Sequence, residues 1–366
     1  MSKIRIGIIG VGMIAKMHME IYKNIPDAEI VAAADINETE LKFVSEKYNI
    51  PFTYTNFEEM LKRDDLDAVD VCLHNNYHAQ ATIKSLRAGK NVYCEKPIAG
   101  RYADGKMMID VAKECGKKLH VQLSTLYEKE TKFAKRLIDG GKLGEIYLGH
   151  ATGFRRRGRP FVDGYGSSNF VKKDISGGGA IFDTAIYKLA QILYLMGMPE
   201  VQRISGKTFQ KIDMYEERKL SSGYNVEELG LALVRFKNGA ALDMIESWAI
   251  NLDGFDGSSI AGSKGGIRLY PFKYMSTVED IEMVSLPEMD IVDERWHSVN
   301  PLEYAYDSSQ SHWIAALQGK VELLNTAEIA LSSMLIQEGV YISEERGCEV
   351  SAEEVISNSV SNAVML

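Results

Sequence analysis

The sequence predicts an α/β protein in which a doubly wound parallel sheet is followed by a C-terminal α/β domain with a large, mostly antiparallel open sheet. Up to about residue 123, short apolar runs alternate with helical patterns, as in a parallel sheet with crossover helices. Beyond residue 124, longer segments alternate apolar and polar residues, as antiparallel strands do. The chain has 366 residues, which is enough for about two domains.

Five strands are predicted in the first domain. Each is short and nearly all apolar, as expected for strands that are covered on both faces. The predicted strands are 4–9, 30–34, 68–73, 91–94 and 119–123, and the predicted helices are about 13–24, 38–48, 56–63, 78–88 and 104–116.

The second domain is predicted to begin with a helix at about 127–139 and to end with a helix at about 326–346. A basic, glycine-rich loop at 155–179 and a helix at about 180–197 interrupt its strands. The predicted strands are 145–154, 200–213, 225–236, 239–250, 257–269 and 279–285. We therefore expect domains at 1–123 and 124–352, and a loosely held tail at 353–366.

Charge and composition exclude several classes of function. The chain carries 42 basic and 51 acidic side chains, and its net charge of −9 opposes binding to nucleic acid or to an anionic membrane. The sequence contains no run of 18 or more apolar residues, so it does not predict a membrane-spanning helix. The glycines of the apolar opening segment argue against a signal peptide, and four scattered cysteines fit reduced thiols. We expect a cytoplasmic protein without a metal site.

A glycine-rich turn follows the first strand. Gly10, Gly12 and Ala15 form a GxGxxA pattern that opens a helix, with Met13 and Ile14 between the last two. The first glycine permits the tight turn, the second lets a pyrophosphate approach the backbone, and the alanine permits close helix packing. Helix-start amides then bind the phosphates. This context predicts a Rossmann dinucleotide-binding domain.

The second strand is followed by Asp35, 25 residues after Gly10. A carboxylate at about this distance accepts hydrogen bonds from the adenosine ribose and repels a 2′-phosphate. The next residues, Ile36 and Asn37, provide no basic side chain for that phosphate. NAD is therefore favoured over NADP, and the alternative for Asp35 is a loop or helix-capping carboxylate.

Three ordered motifs carry a resemblance to a known family. They are the Gly10–Ala15 turn, Glu95-Lys96-Pro97 after the fourth predicted strand, and Gly177-Gly-Gly179 followed by Asp183 and Tyr187. Over about residues 3–350 the chain resembles the glucose-fructose oxidoreductase/inositol dehydrogenase (Gfo/Idh/MocA) family. The resemblance implies hydride transfer between a nicotinamide and a sugar, polyol or related carbonyl compound.

The predicted catalytic residues are Lys96, Asp183 and Tyr187. The same three residues are also predicted to contact the substrate. At the end of a parallel strand, the Lys96 ammonium would stabilise a developing oxyanion. Asp183 and Tyr187 would share one face of a continuous helix. Much of the family has histidine where this chain has Tyr187, and a nearby ammonium would favour tyrosinate. The alternatives are a solvated lysine, a structural carboxylate and a core aromatic residue.

The remaining cofactor contacts are predicted at the ends of later strands. His74, Asn75 and His78 follow the third predicted strand; many relatives have a Thr-Pro-Asn-type turn there, with histidine at the position of His78. Glu95 belongs to the Glu-Lys-Pro motif. Gln122, at the end of the fifth strand, would contact the carboxamide or the substrate, and a solvated cap is the alternative.

The loop at 155–159 contains four arginines, of which Arg156 is the predicted substrate contact. Its alternative is a solvated face with salt bridges between subunits. Taken together, the sequence predicts an NAD-dependent dehydrogenase that acts on a sugar, cyclitol or glycoside and forms a homo-oligomer through its open sheet. Two rival functions are a redox-neutral NAD-dependent glycosidase and a nicotinamide-binding sensor without turnover.

Overall fold

The computed structural model describes residues 3–366, and it confirms the predicted fold class. Its contacts divide the chain into two compact units. Unit 1 contains the residues through Leu123 together with Trp296–Glu328 and Ser361–Leu366. Unit 2 contains Ser124–Arg295 and Ile329–Val360. The units are therefore not continuous in sequence, unlike the expected ranges 1–123, 124–352 and 353–366.

Unit 1 is built around six parallel strands in the order β3-β2-β1-β4-β5-β6. The strands are β1 (Ile4–Ile9), β2 (Ala28–Ala34), β3 (Phe52–Tyr54), β4 (Ala68–Val71), β5 (Asn91–Cys94) and β6 (Leu119–Val121). The helices that follow the first five strands are α1 (Met13–Lys23), α2 (Glu38–Tyr48), α3 (Phe57–Leu61), α4 (His78–Arg87) and α5 (Tyr102–Glu114). This is the strand order of a dinucleotide-binding Rossmann sheet, in which ligands bind beyond the carboxyl ends of the strands.

A late segment of the chain completes the core of unit 1. Trp313 and Ile314, on the helix Ser309–Leu317, are buried in one cluster with Ile6, Ile8 and Tyr93. The Tyr93 hydroxyl donates to Ser309 Oγ at 2.9 Å. Unit 1 therefore needs residues some 190 positions beyond its last strand to bury its sheet.

Unit 2 contains a nine-stranded sheet in the order β14-β13-β12-β11-β7-β10-β9-β8-β15, in which only β7 and β10 pair in parallel. The strands are β7 (Ile146–Phe154), β8 (Val201–Phe209), β9 (Leu229–Phe236), β10 (Ala241–Ser247), β11 (Ser259–Gly262), β12 (Gly265–Arg268), β13 (Lys273–Val278), β14 (Ile281–Ser285) and β15 (Val350–Ser351).

The remaining helices lie before, between or after the strands of that sheet in the sequence. They are α6 (Lys129–Asp139), α7 (Lys173–Ser176), α8 (Ala180–Asp183), α9 (Ala185–Leu195), α10 (Glu216–Ser222), α11 (Met289–Val299), α12 (Ser309–Leu317), α13 (Thr326–Arg346) and α14 (Ala352–Asn358). Short 3₁₀ helices occur at Asn75–Tyr77, Ser124–Tyr127, Ser168–Val171 and Glu303–Tyr306. A Cβ at Gly149 would contact Ile192 at 2.7 Å, so this glycine lets α9 pack closely on β7. Within residues 3–366, no helix combines the length and apolar character needed to cross a membrane.

The structure corrects several sequence predictions. The segment 257–269 is two strands joined by a tight turn, not one strand. The predicted helix 180–197 is interrupted at Thr184, whose hydroxyl donates back to Ala180 O at 3.0 Å, a bond that favours helix bending. The tail expected to be loosely held begins with a helix whose N-cap, Ser351, forms a capping box with Glu354.

Candidate active site

The carboxyl ends of the parallel strands place the predicted cofactor residues on one edge of unit 1. The turn after β1 begins at Gly10, whose φ is +86° and whose added Cβ would lie 2.6 Å from Cys72 O. A Cβ at Gly12 would meet nothing within 4 Å. Helix α1 has neither a side-chain N-cap nor an acidic residue in its first turn. Its amides and positive dipole end are therefore available to an anion.

Asp35 is fixed beside this turn by two backbone amides. Val11 N donates to one carboxylate oxygen at 2.8 Å and Asn37 N donates to the other at 2.9 Å. Two apolar side chains nearby in the sequence are largely solvent-exposed, Met13 at 78% and Ile36 at 92%. The turn thus combines an anion-compatible helix start, an oriented carboxylate and exposed apolar surface, which fit the pyrophosphate, ribose and adenine of a dinucleotide.

The Glu-Lys-Pro motif rests on a buried group of three ionisable side chains that the sequence analysis missed. His18 of α1 lies between Asp70 of β4 and Glu95, with its Nδ1 2.9 Å from Asp70 Oδ2 and its Nε2 2.8 Å from Glu95 Oε1. All three are buried. Burial is the largest single influence on His18 and lowers its pKa, but the charge of Asp70, the neighbouring Cys72 and the hydrogen bonds to these two side chains together outweigh burial and raise that pKa well above its usual value.

Glu95 transmits this arrangement to the motif lysine. Burial would raise the pKa of Glu95, but the hydrogen bond from His18 and its positive charge lower it below the usual value. The second carboxylate oxygen of Glu95 accepts a hydrogen bond from Lys96 N at 2.9 Å. Lys96 itself is half-buried. The buried imidazolium therefore keeps Glu95 ionised, and Glu95 fixes the backbone of Lys96 at the end of β5.

The same three-residue environment includes a thiol. His18, Asp70 and Cys72 offer ligand-type atoms that all lie within 4.8 Å of one another. This spacing, found among residues 3–366, is close enough to hold a metal ion. Both ring nitrogens of His18 already face carboxylates. Burial raises the pKa of Cys72, which keeps the sulfur protonated. Hydrogen bonding accounts for this cluster, and no metal is needed to explain it.

His78 lies on the other side of the motif. Its Nδ1 is 2.8 Å from Pro97 O and its Nε2 is 3.0 Å from Leu73 O. The side chain is fully buried, and burial lowers its pKa, so the neutral ring donates to one of these carbonyls. Its ring therefore ties the turn after β4 to the Glu-Lys-Pro segment, which differs from the cofactor contact expected of it. His74 is exposed and Asn75 is half-buried in that turn.

Gln122 follows β6 at the same edge. Its backbone N donates to Cys94 O at 2.8 Å, which continues the sheet by one residue. Its side-chain Oε1 is buried without a hydrogen-bond partner among the described residues. Because a buried amide oxygen without a partner is costly, this atom is suited to accept a hydrogen bond from a ligand.

In unit 2, a buried glutamate that sequence analysis missed shapes the triple-glycine motif. The Glu227 carboxylate accepts hydrogen bonds from Gly179 N at 2.9 Å, from Ile181 N at 2.9 Å and from the Tyr341 hydroxyl at 2.9 Å. A Cβ at Gly178 would collide with the Tyr341 hydroxyl. The motif therefore needs glycine because side chains from distant elements pass close to its backbone.

Asp183 and Tyr187 lie on successive short helices of unit 2. Asp183 ends α8, Thr184 separates the helices, and Tyr187 lies in the first turn of α9. Both side chains are half-buried, and the Tyr187 carbonyl accepts a hydrogen bond from Thr125 Oγ1 at 2.8 Å. The two residues are close in the chain, but the expected continuous helix does not carry them.

The arginines of the 155–159 loop have different environments. Arg159 is fully buried, and its Nη1 donates to Glu228 at 2.8 Å while its Nε donates to Asp163 at 2.9 Å. Arg155 donates to the Tyr165 hydroxyl. Arg156 is exposed. Arg159 thus stabilises the loop from within, a role that its sequence neighbours did not reveal.

Comparisons with known proteins agree with this architecture. Residues 4–123 match the family profile described as "Oxidoreductase family, NAD-binding Rossmann fold", and residues 131–268 match "GFO/IDH/MocA C-terminal domain". The chain belongs to the GFO/IDH/MocA family. As a member of that family it is an NAD-binding oxidoreductase of the class that acts on CH–OH groups.

Two curated relatives indicate the range of the GFO/IDH/MocA neighbours. The chain is 30% identical to D-glucoside 3-dehydrogenase of Escherichia coli K12, over 95% of this chain and 97% of the relative. It is 29% identical to myo-inositol 2-dehydrogenase of Thermotoga maritima, over 72% and 74% of the two chains.

Two solved structures share the fold. One is an oxidoreductase from Agrobacterium radiobacter in complex with NAD+, L-tartaric acid and magnesium, with a TM-score of 0.78, 20% identity and coverage of 96% and 99%. The other is a levoglucosan dehydrogenase in complex with NADH and levoglucosan, with a TM-score of 0.77, 19% identity and coverage of 96% and 100%. At these identities the likeness concerns the fold.

Proposed function

We propose that this protein is an NAD-dependent dehydrogenase that oxidises a secondary alcohol of a sugar, cyclitol or glycoside, or reduces the corresponding ketone. The observation that carries the proposal is the position of Lys96. The lysine follows β5 on the sheet edge that also bears Gly10 and Asp35. An ammonium at a dinucleotide-binding edge is suited to stabilise an oxyanion next to the nicotinamide.

The residues proposed to hold the cofactor share that edge. NAD, when bound, supplies the hydride acceptor for oxidation or, as NADH, the hydride donor for reduction. The proposed cofactor contacts are Gly10, Gly12, Met13, Ile14, Asp35, Ile36, His74, Asn75, Glu95, Lys96 and Gln122. NAD is preferred over NADP because the fixed carboxylate of Asp35 repels a 2′-phosphate.

Three side chains are proposed to act on the substrate hydroxyl. Lys96 stabilises the oxyanion, Tyr187 exchanges the hydroxyl proton, and Asp183 orients the hydroxyl through a hydrogen bond. Arg156 contributes a hydrogen bond to another part of the substrate. Oxidation at the third carbon of a sugar ring is the subtype supported by the match to D-glucoside 3-dehydrogenase over 95% of the chain.

A substrate screen tests this proposal directly. The purified protein is incubated with NAD or NADP and a panel of sugars, inositols and glycosides, and the absorbance of the reduced nicotinamide is followed. We expect reduction of NAD with at least one member, and at least a hundredfold loss of kcat in Lys96→Met and Tyr187→Phe. Lys62→Met, at an exposed lysine of unit 1, is the matched control.

The screen also separates the rival functions. Release of an aglycone without net NADH would identify a redox-neutral glycosidase. Cofactor binding that is unchanged in Lys96→Met, together with no reduction of NAD by any member of the panel, would identify a nicotinamide-binding sensor. Either result would contradict the proposed dehydrogenase.

We further propose a cytoplasmic homo-oligomer that forms through the open face of the unit 2 sheet. Leu231 and Leu233 of β9 project from that face and are 40% and 43% exposed, and Leu231 pairs with Ile245 of β10. Apolar side chains on an exposed sheet favour burial against another surface. Light scattering after size-exclusion chromatography is expected to give a dimer or larger assembly, and a smaller species for Leu231→Glu.

A further inference from the structure

The segment Ser361–Leu366 belongs to unit 1 and packs against the turn that follows β4. Val364 N donates to Asn76 O at 2.9 Å, and Asn362 Nδ2 donates to Asn76 Oδ1 at 3.3 Å. Asn76 is buried. Both the backbone and the side chain of Asn76 are therefore held by residues that are distant in the sequence.

Two further hydrogen bonds fix the segment 361–366 on the helices beside this turn. Asn362 N donates to Asp104 Oδ2, in the first turn of α5, at 3.1 Å. The Lys84 ammonium, on α4, donates to Leu366 O at 2.6 Å. Asp104 is buried, where a carboxylate needs a hydrogen-bond donor to replace water. The segment is thus anchored on two helices, and its position does not depend on Asn76 alone.

Gly100 leaves the space in which the two asparagine side chains meet. This glycine follows the Glu-Lys-Pro motif and is buried. An added Cβ would collide with both Asn76 Oδ1 and Asn362 Oδ1. Three parts of unit 1 therefore meet at this point, namely the turn after β4, the stretch after Lys96 and the segment 361–366.

The turn after β4 has little internal structure of its own. Asn75–Tyr77 forms a single 3₁₀ turn, in which Tyr77 N donates to His74 O at 2.9 Å. Because 3₁₀ hydrogen bonds have poor geometry, contacts with neighbouring elements set the position of so short a turn. The bonds to Asn76 supply such contacts directly beside Asn75.

The place of this turn in the sheet indicates which half of the cofactor it faces. A Rossmann sheet consists of two mononucleotide-binding halves, and the dinucleotide lies across both. Asp35, which is assigned to the adenosine ribose, follows β2 on one side of β1, whereas β4 and β5 lie on the other side. The turn after β4 therefore belongs to the nicotinamide half.

We propose that Asn362 is a positioning residue for the nicotinamide half of the cofactor site, because through Asn76 it holds the turn that carries His74 and Asn75. The inference rests on the proposed function, which assigns His74 and Asn75 to the cofactor. When the bond between Asn362 and Asn76 is lost, the turn occupies other positions for part of the time. Only the remaining fraction binds the cofactor, so the apparent affinity falls with that fraction.

Asn362→Asp tests this role because an ionised carboxylate of the same shape only accepts hydrogen bonds and would face the acceptor Asn76 Oδ1. Calorimetric titration gives the Kd of NAD and that of ADP, which covers only the adenosine half. We expect Asn362→Asp to weaken NAD binding by roughly five- to tenfold, as for one lost hydrogen bond, and to leave ADP binding unchanged. Gly100→Ala, which separates the two asparagines without adding charge, should give the same pattern. The matched control is Asn358→Asp, at an exposed asparagine that donates to Glu354 O within its own helix.

Two outcomes of the titrations would overturn the proposal. If Asn362→Asp binds NAD as tightly as the unmodified protein does, the segment 361–366 does not position the turn for the cofactor. If NAD and ADP binding weaken to the same extent, the substitution perturbs unit 1 as a whole, and Asn362 has only a structural role.

Hydrogen exchange without any ligand separates failure of this inference from failure of the proposed function. The Tyr77 amide closes the turn, so its exchange rate reports how often the turn opens. We expect amides at 74–78 to exchange faster in Asn362→Asp and Gly100→Ala than in the unmodified protein and Asn358→Asp. Equal rates would contradict the inference, even if no substrate were found. Faster exchange in a protein that binds no NAD would instead contradict the cofactor assignment, and with it the proposed function.

Discussion

Replacing His18 by alanine leaves Asp70 and Glu95 as two buried carboxylates without the cation that lies between them. Removing one partner of a buried ion pair costs about 3–5 kcal/mol, since the remaining charge loses its compensation. In a unit of roughly 150–250 residues, 1 kcal/mol shifts the Tm by about 2–4 °C. We therefore expect His18→Ala to lower the Tm by roughly 6–20 °C.

The assay is thermal unfolding at pH 7, followed by circular dichroism, with Lys16→Ala as the control. Lys16 lies on the same helix and pairs with Glu40 near the surface, so its loss should cost about 1 kcal/mol or less. Adding Asp70→Asn to His18→Ala removes one of the two uncompensated charges, so the double variant should recover part of the decrease in Tm.

The pH dependence gives a second check. Because the pKa of His18 is raised by folding, the stability contributed by its proton is present at low pH and lost as pH rises through the folded-state pKa. The difference in Tm between the unmodified protein and His18→Ala should therefore become smaller at high pH. A Tm for His18→Ala equal to that of Lys16→Ala at pH 7 would refute the assignment of a buried imidazolium.

Three further predictions concern other parts of the molecule. Burial lowers the pKa of His312 to about 4, so the free energy of unfolding of unit 1 should fall by about 3 kcal/mol as pH falls from 6.5 to 4. In urea titrations the free energy of unfolding of His312→Gln should fall less steeply over this range, and equal slopes for the two proteins would contradict the prediction. Asp35→Ser should weaken NAD binding by roughly 10- to 100-fold in calorimetric titration and reduce discrimination against NADP, whereas unchanged affinity would remove Asp35 from the ribose site. Glu227→Gln points an amide donor at backbone donors and should lower the free energy of unfolding by about 1–3 kcal/mol, with faster proteolysis at 177–179 than in Glu217→Gln, a control at an exposed glutamate of the same unit.

The sequence was sufficient for features whose signal is local. The turn at Gly10, the carboxylate at Asp35 and the apolar parallel strands were predictable because each depends on neighbouring residues. The strand Phe52–Tyr54 was missed because it is only three residues long and largely exposed. The hairpin within 257–269 was read as one strand because its turn interrupts the apolar alternation only briefly.

Contacts between distant residues account for what the sequence did not disclose about the candidate site. His18 and Glu95 are separated by 77 residues, and no spacing rule joins them. Two signals were present: Asp70 interrupts the apolar strand β4, and Glu246 falls on the inward register of β10. A charged residue at an otherwise apolar inward position indicates a buried polar network, although it does not identify the partner.

The return of the chain to the first sheet has a consequence for synthesis and for protein engineering. The ribosome must synthesise the segment Trp296–Glu328 before Trp313 can pack against Tyr93. Unit 1 therefore cannot finish folding until most of the chain has been made. A recombinant fragment that stops at Leu123 would leave Tyr93 and its apolar neighbours bare. Joining 296–328 to that fragment through a short linker is the rational design for a self-sufficient cofactor module.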